Sequence, residues 1–221
     1  EFSTSTAAIT IEGSSGGESA LRIGQVVLVQ GTISDDGRTG TARTVAYNDD
    51  VEGPVTSVNG TANTFVVLGQ TVRVTGTTAF DGGISPASIL GLAAGNVVEV
   101  SGLPDSTGVI VASRVERRTA AGELELSGRV AGLDTGTRRF TIGPQGIDYA
   151  AATVANGTLA NAACVEVKGS AVTNGVLVAT RVEVKSCTPG AAAGDRGEVE
   201  GIITRCGSAS AFDAGGQRVT T

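Results

Sequence analysis

Three cysteines and a few short acidic segments are the residues of this chain with chemistry to offer. Cys164, Cys187 and Cys206 fall in one third of the sequence, and none stands at zinc-ligand spacing such as Cys-x-x-Cys. One disulfide plus a leftover thiol fits them best and implies an oxidising compartment; three small buried side chains in a reduced protein is the other reading. Asp35-Asp36-Gly37, Asn48-Asp49-Asp50 and Asp81-Gly82 carry the oxygen ligands that Ca²⁺ takes. The first lacks the alternating carboxylates and terminal Glu of a calcium loop, and all three stand where a turn is expected, so they read as turns. No metal ligand is assigned.

Serine and threonine are abundant, but the chain has no histidine, which removes a hydrolytic triad, and no Ser-x-x-Lys or Gly-x-Ser-x-Gly motif replaces it. Asp and Glu leave an acid-pair glycosidase open by residue type. The sequence places no two of them in an apolar setting that would raise a pKa. No catalytic residue and no cofactor are expected, and the chain is read as a non-enzyme. Arg114, Arg181, Glu99, Glu116, Glu166 and Glu183 recur at matching places and read as cross-strand charge pairs on an exterior. Phe65, Phe140 and Phe212 recur in one slot and read as core; stacking on bases or sugars is the other use of aromatics there. The net charge of −6 repels phosphate backbones, which argues against a nucleic-acid partner. The apolar runs are too short to span a membrane.

The elements that position these residues are written twice. Val98-Glu-Val-Ser-Gly102 followed by Gly108-Val-Ile-Val-Ala-Ser-Arg-Val-Glu116 returns as Val165-Glu-Val-Lys-Gly169 followed by Gly175-Val-Leu-Val-Ala-Thr-Arg-Val-Glu183. Alternation of apolar and polar residues makes each copy two strands joined by a short loop. Upstream, Val51 to Val58 with the turn Asn59-Gly60, Thr64 to Leu68 and Gln70 to Thr75 read as three more strands. Ser85 to Gly95 reads as a short helix or helical turn, with Ser85 as N-cap, Pro86 at the first helical position and Gly95 as terminator.

The expected fold is therefore all-β: tandem small OB-like five-stranded Greek-key barrels, each a β-β-β-α-β-β unit of roughly 70 residues, with incomplete units at both ends. A β-sandwich is the competitor, but it gives the helical insert no role. The boundaries are 1–50 for a partial unit from its third strand onward, 51–122 and 123–187 for complete units, 188–197 for a linker and 198–221 for the start of a further unit. Parity with Glu166 and Glu183 puts Cys164 and Cys187 in the outward phase of strands that share one barrel end, which makes them the expected disulfide; Cys187 with Cys206 is the alternative.

The Val51-Glu-Gly-x-Val-Thr56 opening, Thr78 to Gly82, the Leu92-x-x-Gly95-x-x-Val98-Glu-Val-x-Gly102 core and Ala112-Ser-Arg-Val-Glu116 together resemble the bacterial repeat family called domain of unknown function 5666. The resemblance covers nearly the whole chain; departures are Ala162 in place of the glycine before the fourth strand, and the added cysteines. It implies an exported, often lipid-anchored protein of the Gram-negative cell envelope, in the periplasm, on the outer-membrane surface or outside the cell. It implies no activity and carries over no catalytic residue. The expected role is that of a structural or assembly module, with a carbohydrate-binding OB groove as the alternative. Residues 200–221 supply what residues 1–51 lack, so head and tail are expected to combine by strand complementation, as a ring or a head-to-tail filament. A piece cut from a longer array is the other reading.

Overall fold

The computed structural model describes residues 2–35, 39–81, 83–118 and 122–187, together with the backbone of strands at 203–208, 211–214 and 217–220. The stretch expected to be a linker, 188–197, lies outside the described residues, as do Asp36-Gly37, Gly82 and the side chains of Cys206 and Phe212.

The first group of strands is β1 (Phe2–Ser3), β2 (Ala8–Ile11), β3 (Ser14–Gly16), β4 (Val27–Ile33) and β5 (Gly40–Tyr47). β5 is its hub: β1 and β2 join it in parallel and β4 antiparallel, while β3 forms a hairpin on β2. The next group is β6 (Val51–Asn59), β7 (Thr64–Val67), β8 (Gln70–Arg73), β9 (Ala79–Phe80), β10 (Val97–Pro104) and β11 (Ile110–Arg118). Here β6 pairs β7, β7 pairs β8, β8 pairs β11 in parallel, β11 pairs β10, and β10 returns to β6. The ring closes, so these strands form a five-stranded barrel with no free edge.

The same ring is drawn again by β12 (Leu124–Asp134), β13 (Arg139–Ile142), β14 (Gln145–Asp148), β15 (Thr153–Ala155), β16 (Cys164–Thr173) and β17 (Val176–Lys185). A backbone pairing of Leu126 with Val51 and Glu125 with Glu52 joins this second barrel to the first. The last strands, β18 (Ile203–Ser208), β19 (Ala211–Ala214) and β20 (Gln217–Thr220), form a separate antiparallel meander.

Alternation explains the core. Val51, Val55, Phe65, Val67, Val72, Val98 and Val100 face inward in the first barrel, and Leu126, Phe140, Ile147, Val167, Leu177 and Val182 in the second, all essentially unexposed. The two lumens merge into one apolar cluster, whereas Ile9, Ala42 and Val45 form a cluster of their own in the first sheet. Closure relies on the glycine that ends each Val-x-Val-x-Gly segment. The register shifts at Gln30/Gly31, Ser101/Gly102 and Lys168/Gly169, and a Cβ on Gly102 would stand 2.5 Å from the Val111 carbonyl oxygen. A bulge bends the strand around the barrel, and only glycine lets the facing backbone come that close.

Where Ser85 to Gly95 suggested a short helix or helical turn, capped at Ser85, the chain forms only the turn, three 3₁₀ residues at Ile89–Gly91, capped by the Ser88 hydroxyl, which accepts the Leu90 N–H. The backbone explains the shortfall: a Cβ on Gly91 would lie 2.2 Å from the Pro86 carbonyl oxygen, so the segment is folded back on itself instead of wound. Ala162, which stands where Gly95 does in the preceding copy, adopts the same left-handed conformation, φ 67° against 87°.

Candidate functional site

The junction of the first sheet with the two barrels gathers the acidic residues. In β11, β10, β6 and β12 the residues directly opposite one another are Glu116, Glu99, Glu52 and Glu125. The row continues into Lys168 and Arg181 on β16 and β17. Like charges placed opposite each other across strands repel, so this row needs cations. Arg118 supplies one at one end, pairing with Glu99, with Glu52 at 3.8 Å and with Glu116 at 3.5 Å. Lys168 supplies the other, 2.8 Å from Glu125 and 3.8 Å from Glu123.

The first sheet covers this row. Val26 N–H donates to the Ser101 hydroxyl at 2.8 Å, the Arg114 guanidinium donates to the Ile23 carbonyl at 3.3 Å, and Gly24 (φ 90°) lies so close that a Cβ would meet the Ser113 carbonyl oxygen at 2.6 Å. Burial under that lid leaves Glu99 only 3% and Glu125 only 5% exposed. Tyr47, at the end of β5, reaches across and donates its hydroxyl to Glu99 Oε1, and burial raises its own pKa. Glu99 Oε2 has the Arg118 guanidinium as its partner, an ion pair without an aligned N–H.

Between these two cationic ends sit Asp49 and Glu12. Glu12 occupies the β2–β3 turn with φ 50°, a left-handed conformation that costs a non-glycine residue about 1–3 kcal/mol. Its backbone N–H donates to the Tyr47 carbonyl at 2.9 Å, and its Oε1 accepts the Asp49 N–H at 3.0 Å. Asp49 is 4% exposed, and among the described residues neither its Oδ1 nor Glu125 Oε1 receives an N–H or hydroxyl; a protonated Asp49 carboxyl hydrogen-bonds to Glu125. Oxygens of Glu12, Asp49 and Glu125 lie within 4.8 Å of one another. The next residue, Asp50, takes the Gly102 N–H on Oδ2 at 2.7 Å.

Crowding and burial set the protonation. Burial, then the neighbouring Glu125, lifts Glu12 to about 7. Burial lifts Asp50 to about 7 against the Gly102 N–H. Asp49 is raised well above the carboxylate range by burial and by Glu125 and Glu12, and Glu125 is raised by burial despite its bond to Lys168. On Lys168 burial works the other way, but the bond to Glu125 prevails and its pKa is raised.

Three sequence readings change here. Asn48-Asp49-Asp50 is no solvent-exposed turn, because Asp49 is buried at the meeting of three sets of strands. Carboxylates do stand where their pKa is raised. Arg114 and Arg181 pair along their own strands, with Glu116 at 2.8 Å in the first case and with Glu183 in the second, while Glu99 and Glu166 are buried instead of lying on the exterior. Glu12, Glu52 and Glu125 were not singled out. Their signal was parity: Glu52 and Glu99 point out of their own barrel, and nothing local says that a neighbouring sheet lies over them.

Cys164 and Cys187 are joined in a disulfide with their Cα atoms 5.2 Å apart, at the start of β16 and just past the end of β17. Phe65 and Phe140 fill the two lumens, the latter 5.6 Å from the Tyr149 ring. Among the described residues no helix is long and apolar enough to cross a membrane. No curated protein and no solved structure matches this chain. One family model does, once in each closed barrel, over residues 52–116 and 127–183: the chain belongs to the family described as Domain of unknown function (DUF5666).

Proposed function

We propose that the chain is a non-enzymatic structural module of the bacterial cell envelope or exterior, built from OB-like units and serving as a spacer or assembly element. The observation that carries this reading is the Leu126–Val51 and Glu125–Glu52 pairing, which makes successive barrels parts of one sheet and so fixes their spacing without a hinge at that point. The strand order of each ring, with the third and fifth strands parallel, supports the OB-like assignment. The Cys164–Cys187 disulfide supports export to an oxidising compartment.

Assembly has a surface to use. In the closed barrels the fourth strand has a partner on both sides, β10 between β11 and β6, and β16 between β17 and β12. Its counterpart β4 pairs only with β5 among the described residues, and Val27, Leu28 and Ile33 on it are 37%, 39% and 53% exposed. An edge of this kind accepts a strand, and β18 is of the type it lacks.

Cell fractionation with thiol trapping tests the location: recovery from the envelope or medium with Cys164 and Cys187 oxidised supports the proposal, and a reduced cytoplasmic protein overturns it. Light scattering on the full chain and on one lacking residues 203–220 tests assembly, with association expected only in the first. Reproducible binding to one polysaccharide, lost when groove-facing residues are changed, would favour the carbohydrate-binding alternative.

A further inference from the structure

We propose that Glu12, Asp49 and Glu125 form a divalent-cation site, with Ca²⁺ as the ion that fits best, and that the ion locks the first sheet onto the two barrels.

The argument begins with charge. Arg118 is engaged by Glu52, Glu99 and Glu116, and Lys168 by Glu123 and Glu125. Among the described residues Asp49 and Glu12 have no cation of their own between those two ends. Buried carboxylate oxygens are ordinarily partnered, and leaving one unpaired costs about 1–3 kcal/mol or more for a charged group. Here Asp49 Oδ1 and Glu125 Oε1 are both buried, on two residues at least nine-tenths buried, and among the described residues no N–H or hydroxyl reaches either; without a cation their one recourse is a proton on Asp49 shared with Glu125. Two such atoms facing one cluster point to something held between them.

The donor set decides what. It is all carboxylate oxygen, with no histidine in the chain, which suits a hard cation over zinc or copper. The mutual separations within 4.8 Å are the span that opposite ligands cover around Ca²⁺ at about 2.4 Å. Ca²⁺ takes six to eight ligands, so about half would be water, and Glu12 is partly exposed. A cleft of 230 Å³ between the first sheet and the first barrel, lined by Gln25, Tyr47, Glu99 and Arg118 among others, reaches Glu12, the outermost of the three ligands, though not Asp49 or Glu125. The second acidic grouping, Asp49 with Glu52 and Glu99, shares Asp49 but has Arg118 already bound to the other two. The three proposed ligands come from three places in the array: the β2–β3 turn, the connection between β5 and β6, and β12. An ion there would tie together elements that are remote in sequence.

The test is titration of chelator-treated protein with CaCl₂, followed by calorimetry and by thermal melting. One ion per chain is expected, with a saturable rise in melting temperature on the order of 5 °C at a hundredfold excess over Kd. Asp49→Asn should melt at or above the parent in chelator, because a neutral amide of the same shape relieves the crowding of the carboxyls, yet lose the Ca²⁺ response; Glu125→Gln, which also gives up the Lys168 pair, should melt lower in chelator and lose the response too; Glu183→Gln, which pairs with Arg181 and Lys185 and supplies no proposed ligand, should keep it. The predicted sign for Asp49→Asn in chelator guards against a variant that merely fails to fold. No response to Ca²⁺ by the folded parent at millimolar concentration would overturn the proposal, with protons then serving as the neutralising species. An unchanged response in both variants would overturn it as well.

Discussion

The barrel lumens and the junction between the repeats are both buried, and they are built on opposite rules. In the lumens each strand sends valine, leucine, isoleucine or phenylalanine inward, and the backbone polar groups are satisfied by the closed ring. At the junction, strands of the same kind in the same register line up Glu116, Glu99, Glu52 and Glu125, with Asp49 and Glu12 over them. Burial of apolar area stabilises the first; it penalises the second until a counter-charge arrives. The difference teaches that the barrels provide stability, whereas the junction provides a conditional contact whose strength depends on what neutralises it.

Breaking the lumen should therefore be costly under all conditions. Phe65→Ala should lose about 3–5 kcal/mol, the range for large aromatic truncations in a core, measured by denaturant unfolding. The effect should be the same in Ca²⁺ and in chelator. Reduction of the Cys164–Cys187 bond, whose cysteines are 23 residues apart, should cost about 3 kcal/mol through restored unfolded-state entropy, read from melts with and without reductant. Gly24→Ala attacks the junction from the lid side. A Cβ at φ 90° and 2.6 Å from the Ser113 carbonyl should loosen the first sheet and raise amide exchange in β4 and β5 while leaving the two barrels protected.

Between pH 5 and 8 the junction should be the part that responds to pH. Glu12 and Asp50 titrate near 7 in the folded chain, both raised chiefly by burial, above unfolded values of about 4. Glu125 and Glu166 face Glu12 and raise it, Lys168 and the Asp49 N–H lower it, and the Gly102 N–H lowers Asp50. A raised carboxyl holds its proton longer when folded, so its contribution is present below the unfolded pKa and is lost as pH rises through about 4 to 7. In chelator the protein should melt higher at pH 5 than at pH 8. The smallest expected effect is Ala162→Gly: relieving φ 67° at an alanine should stabilise the second barrel by about 1 kcal/mol or less, since the added backbone freedom of glycine opposes it.

Legibility followed the same division. Val98-Glu-Val-Ser-Gly102 and Val165-Glu-Val-Lys-Gly169 announce an inward pair, an outward Glu and a terminal glycine, so alternation alone gives the core and the repeat. The bulge at Gly102 and Gly169 and the short strands β9 and β15 were not apparent, because a bulge is a property of two strands facing each other. The turn after Asn59 is longer than the Asn-Gly pair suggested: Thr64 is the residue opposite Asn59, whose side chain accepts the Ala62 N–H. The junction was hidden for a stronger reason. Parity says that Glu99 leaves its own barrel; only tertiary packing says that Tyr47 and the first sheet are waiting outside.

Terbium luminescence tests the account most directly, because Tb³⁺ substitutes for Ca²⁺ in oxygen sites and is lit by an adjacent aromatic side chain. The chain has two tyrosines and no tryptophan, and of the tyrosines Tyr47 bonds to Glu99 beside Asp49, while Tyr149 packs in the second lumen. The account predicts saturable emission on tyrosine excitation, displaced by Ca²⁺, kept in Tyr149→Phe and lost in both Tyr47→Phe and Asp49→Asn. Emission that is absent from the folded protein, or that survives Asp49→Asn, would contradict it.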